Sequence, residues 1–129
     1  MTTHTIRHFP APGIARLAAL LHDAAEAYLG DLPHPIKHRS DLGAAFREAE
    51  HRLQGVISER FALPDASARI KPLDRALLAA ERRVLSEETW HWPELDEAEE
   101  IDVEVDPWEP ERAAREFRER FERLQKARS

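Results

Sequence analysis

The chain contains no cysteine. Disulfides, thiolate-bound zinc and iron–sulfur clusters are therefore excluded, and any metal must be held by imidazole and carboxylate. Glycine is scarce too, with 4 residues in 129, and the remainder is 42% hydrophobic and 34% charged. That is the balance of a helix-rich, soluble chain and not of a disordered one. No apolar run reaches the roughly 20 residues needed to span a bilayer. The opening Met1-Thr2-Thr3-His4 also lacks a basic region followed by an apolar one, so neither export nor membrane insertion is expected. A reducing cytoplasm suits such a chain. Excess positive charge is missing as well: the net charge is −6, which argues against binding a nucleic-acid polymer. A small nucleotide remains open as a ligand, because one phosphate ester needs only a metal and one or two local cations. No internal repeat, heptad array or low-complexity tract is present, and the length suits a single domain, residues 1–129.

What is present is mostly helical periodicity. Pro10 and Pro12 interrupt the first dozen residues, and residues 13–29 then form the strongest helix expectation, ended by Gly30. Asp31-Leu32-Pro33-His34-Pro35 reads as a loop kept from being helical by its two prolines. Ser40 or Asp41 can cap a helix to about residue 61 whose stripe is Leu42, Phe46, Leu53, Val56, Ile57 and Phe61. Pro64-Asp65 starts the next helix, with Ile70, Leu73, Leu77, Leu78, Val84 and Leu85 along one side despite Pro72. Residues 89–110, rich in tryptophan, proline and acid, read as a long loop in which Ile101–Val105 can form one short strand. A final amphipathic helix over 111–127 carries Ala114, Phe117, Phe121 and Leu124. The fold class is all-α, a bundle of about five helices.

Within the first helix, His22 and Asp23 stand side by side among Leu20, Leu21, Ala24 and Ala25. A buried imidazole beside a buried carboxylate is costly unless both find partners, and a divalent cation satisfies both. The competing reading is an ordinary helix pair reaching solvent, which the apolar flanks disfavour. Glu26, four residues after His22, projects from nearly the same face, so a second carboxylate could bind a metal or move protons. Lys37, just past the proline loop, could neutralise a phosphate as a point cation, with Arg39 a weaker candidate. His34, His38, His51 and His91 lack matching partners and read as surface residues; the tryptophans read as core or interface, with Trp90 able to serve there or as a platform on which a base stacks.

The run from Leu20 through His22-Asp23, Glu26 and Asp31 to Pro33, with the later segment Lys71 to Glu81 containing Asp74, resembles the HD-domain phosphohydrolases. Within them it looks most like the small bacterial and phage proteins related to 5′-deoxynucleotidases, over nearly the whole chain. That resemblance implies an HD-type helical bundle holding one divalent ion (Mn, Co, Fe, Ni, Zn or Mg) through His4, His22, Asp23 and Asp74, with His8 as the substitute for His4. Asp74 could instead pair with Lys71 or Arg75 on the surface. The resemblance further implies that Glu26 handles the proton and that Asp31 orients the nucleophile or contacts the sugar. The implied reaction is hydrolysis of a nucleotide phosphate ester, taking a deoxynucleoside 5′-monophosphate to nucleoside and phosphate. The alternatives are a deoxynucleoside triphosphate or other nucleotide phosphodiester as substrate, and a catalytically impaired binding or scaffold protein. Family members carry several tens of residues before the first ligand His where this chain carries three, so the expectation includes a displaced start or a reduced substrate pocket. Such relatives are often dimers, and a homodimer is the corresponding expectation.

Overall fold

In a computed structural model, which describes residues 13–87, 89 and 91–128, the described chain forms six α-helices and one 3₁₀ turn with no strand among them. The helices are α1 (Gly13–Leu20), α2 (Glu26–Leu29), α3 (His34–Arg39), α4 (Asp41–Arg60), α5 (Ser67–Leu85) and α6 (Pro110–Arg128), with the 3₁₀ turn at Pro93–Leu95 between α5 and α6. The all-α class is as expected. His4 and His8 lie outside the described residues, as does Trp90.

The core is narrow and rich in alanine. Leu17 is fully buried, and Ala15, Ala18, Leu21, Ala25, Ile57, Ile70, Ala76, Ala80 and Ala113 are buried around it. Small side chains let helix axes approach closely; α1 packs on α6, and Ala15 and Ala18 of α1 and Ala113 of α6 are buried. At the far end of the bundle Phe61 meets Phe121 edge to face at 5.6 Å, and Arg128 donates to the carbonyls of Phe61 and Ala62. These contacts tie the C-terminal end of α6 to the end of α4.

Four expectations are revised. The helix over 13–29 is split, because residues 21–25 form a tightened turn between α1 and α2. The segment with two prolines is not all loop: Pro35 sits in the first turn of α3, where its missing N–H costs nothing and its fixed φ suits the helix. The helix expected from Pro64-Asp65 begins at Ser67, with Asp65 accepting from the Ser67 N–H and hydroxyl. Residues 101–105 are irregular and make no strand; a lone strand would have unpaired amides and carbonyls, which water satisfies as well in open chain.

Two chain reversals aim the site. Gly30, at φ 73°, takes the left-handed conformation that ends α2 and turns the chain into α3. Ser40 caps α4 by accepting from the Gly43 amide, as its sequence position suggests. Gly43 is buried against α3, where a Cβ would collide with the Ile36 and Lys37 carbonyls. Arg47 donates to the same Lys37 carbonyl, so α3 is clamped on α4 with Lys37 facing the α1–α2 turn.

Candidate metal centre

The hydrogen-bond ladder of α1 continues as far as the Leu21 amide, which donates to Leu17 at 3.1 Å. It then tightens to i→i+3 bonds, Ala24 to Leu21, Glu26 to Asp23 and Ala27 to Ala24. His22 and Asp23 sit inside this tightened stretch. The His22 Nδ1 donates to the Ala19 carbonyl at 2.8 Å; since a carbonyl can only accept, Nδ1 carries a proton, and whenever the ring is neutral its lone pair lies at Nε2. That arrangement, one ring nitrogen anchored to backbone and the other free, is the one metal-binding histidines adopt.

Nε2 lies 2.9 Å from Asp23 Oδ2 and 3.4 Å from Asp74 Oδ1. One ligand atom from each of the three residues falls within 4.8 Å of the others. Nε2 is itself a buried nitrogen for which no hydrogen-bond partner is formed. The carboxylates keep an open side, with 49% of the Asp23 side chain and 59% of the Asp74 side chain accessible. A nitrogen lone pair converging with two carboxylates, the nitrogen buried and unsatisfied, fits a borderline or hard divalent ion. Burial works against charge on the imidazole, but Asp23 and Asp74 outweigh it and push the His22 pKa up to about 10. In turn the His22 ring holds the Asp23 carboxyl below its usual range against partial burial, with Lys37 adding to the effect. A field that draws a proton this strongly also draws a cation.

The structure thus brings together His22 and Asp23 with Asp74, from a helix about fifty residues away in sequence. Glu26 and Asp31 stand outside this cluster of ligand atoms. Half-buried Glu26 has its pKa raised, first by burial and then by the charges of Asp23 and Asp31, with Lys37 opposing. Lys37 is not a free cation: its Nζ is 2.8 Å from Glu50 and 3.9 Å from Asp31, and it lies 5.6 Å from the Phe46 ring centre. Burial disfavours its charge, but Glu50, then Asp31 and Glu26, raise its pKa above the usual lysine value. Arg39 is engaged with Glu94 at 2.9 Å. His34, His38, His51 and His91 are exposed, as expected, although His34 lies 3.7 Å from Glu94 and His91 2.6 Å from Asp96. Trp92 and Trp108 are half-buried beneath Arg82 and Arg112. Shallow, open depressions lie on α6, beside Glu119, Glu122, Arg123 and Lys126, and between α5 and the 3₁₀ turn, and neither includes a residue of the cluster.

Two residues of the site escaped sequence reasoning. Glu50 pairs with Lys37, and Gln54 reaches the backbone on both sides of His22-Asp23, accepting from the Ala25 amide at 3.2 Å and donating to the Leu21 carbonyl at 2.9 Å. Their signal was present: Phe46, Glu50, Gln54 and Ile57 follow helical spacing, which puts two polar residues in the register of the inward face of α4.

No protein-family model matches the chain, and no solved structure does. Among curated proteins it is 36% identical over 113 residues to the uncharacterized protein YfdR of Escherichia coli, a match covering 85% of this chain and 62% of YfdR. An uncharacterized protein of Rhodobacter capsulatus is 42% identical over 73 residues, covering 54% of this chain and 35% of the relative. The chain therefore spans less than two thirds of the length of these relatives.

Proposed function

We propose that the chain is a divalent-metal-dependent phosphohydrolase of HD type that acts on nucleotides, with a deoxynucleoside 5′-monophosphate as substrate and nucleoside and phosphate as products. The observation that carries this reading is the orphaned His22 Nε2, buried and facing Asp23 and Asp74. The resemblance of the His22-Asp23, Glu26, Asp31 and Asp74 pattern to the HD phosphohydrolases supports the choice of chemistry.

In this reading His22, Asp23 and Asp74 hold the ion. A divalent ion held there would supply Lewis acidity, lowering the pKa of water and polarising the phosphoryl group. Glu26 is the proton carrier: its raised pKa brings it nearer to neutrality, where a carboxyl can both take and give a proton. Lys37 contributes positive charge on the α3 side, with Glu50 engaging one of its three N–H donors and holding the ammonium in place. Asp31, largely exposed and 3.9 Å from Lys37, is assigned by the resemblance to orienting the nucleophile or contacting the sugar. A cytoplasmic homodimer is the form proposed for it.

The test is a panel of deoxyribo- and ribonucleoside mono- and triphosphates incubated with Mn- or Co-loaded protein, with products identified. Phosphate released from a deoxynucleoside monophosphate is the expected result. Triphosphate release would reassign the substrate, and a metal-loaded protein inert on the whole panel would identify a binding protein.

A further inference from the structure

In an unbroken α-helix the Ala25 amide would donate to the Leu21 carbonyl. Here that bond is opened and the Gln54 carboxamide, projecting from α4, occupies the gap: its Oε1 accepts from the Ala25 N–H and its Nε2 donates to the Leu21 carbonyl. Both ends are used, so the amide has one possible orientation, since only its oxygen can accept and only its nitrogen can donate. A side chain inserted into the i→i+4 ladder bends or breaks a helix locally. The residues enclosed by the insertion are His22, Asp23 and Ala24.

The consequence is geometric. Successive residues on a regular helix point about 100° apart, and neighbours in sequence do not face each other. Yet His22 Nε2 and Asp23 Oδ2 lie 2.9 Å apart and share a centre with Asp74. We infer that Gln54 is the positioning residue of the metal centre, its carboxamide wedged into the Leu21–Ala25 hydrogen bond so that the adjacent His22 and Asp23 side chains converge on one ion. This rests on the metal reading of the site.

Gln54→Met keeps the length and volume of the side chain and removes both hydrogen bonds. The full chain and this variant are titrated with Co well below the melting temperature of either, following affinity and the visible Co spectrum, with thermal melts alongside. Removing such an outer support typically weakens metal binding by about 10–100-fold, and that loss is expected here, with an altered spectrum showing changed coordination. A merely structural role would lower the melting temperature and leave affinity and spectrum unchanged; that outcome overturns the inference and leaves the metal reading standing. A parent chain that takes up no Co overturns both. Should Gln54→Met not fold, Gln54→Leu, likewise unable to bridge the two backbone groups, is measured with the same expected loss.

Discussion

His22 is committed at Nδ1 and uncommitted at Nε2, so its two ends answer to different changes. In metal-free protein the folded-state pKa of about 10 lies above the ordinary 6.5. The stability that its interaction with Asp23 and Asp74 contributes is therefore complete below about pH 6.5 and lost as pH rises toward 10. Melts in EDTA should show the advantage of the parent chain over His22→Asn shrinking across that interval; a constant advantage would mean that the carboxylates do not hold the proton. Metal binding has the opposite slope, since the ion requires a neutral ring and must displace that proton. Glu26 separates catalysis from loading. Glu26→Gln is expected to retain the ion while losing about 10²–10⁴-fold in kcat for phosphate release, and unchanged turnover would remove Glu26 from the reaction. The His22-Asp23 pair was conspicuous in sequence because an apolar setting makes charged side chains stand out; the role of Glu26 as proton carrier came from the resemblance. Lys37 was legible only as a cation, because its partner Glu50 lies on another helix.

At the level of elements, the two long helices α4 and α5 and the terminal α6 were readable from apolar spacing, which averages over many residues. The α1–α2 interruption was not readable, since its cause is a side chain 29 to 33 residues away, and nothing within 13–29 breaks a helix. Pro35 misled in the other direction, because a proline in the first turn starts helices as readily as it stops them. Two backbone positions yield tests. Gly43→Ala should cost about 1–3 kcal/mol by forcing α3 away from α4, read as a lower midpoint in urea; full stability would mean that the close approach can relax. Ala62 stands at φ 48°, one residue past the Phe61 cap of α4, and the Leu63 amide donates back to Ser58 at 2.8 Å. A glycine is usual in such a turn. Ala62→Gly should therefore leave metal binding unchanged and stabilise the fold by up to about 1 kcal/mol, the relief of the left-handed conformation being partly offset by greater freedom in the unfolded chain. A lower melting temperature would contradict this.

Across the whole molecule, the described helices surround an alanine-rich core, and no helix among them is long and apolar enough to cross a membrane. The convergence of Asp74 with His22-Asp23 depends on how α5 packs relative to the α1–α2 turn, a relation that no local pattern encodes; the resemblance to HD proteins supplied it. The net charge of −6 sets the electrostatic condition for the proposed chemistry. An acidic exterior repels a free phosphate ester, so substrate affinity should depend on the loaded ion and fall sharply in its absence. Everything proposed for catalysis thus converges on metal occupancy. The most direct measurement is the metal content of the untagged chain after soaking in Mn, Co or Zn and desalting, beside His22→Ala and Asp74→Ala. Roughly one ion per chain, lost in both variants, is the expected result; an empty parent chain, or equal retention in the variants, would contradict the assignment of His22, Asp23 and Asp74 as a metal centre.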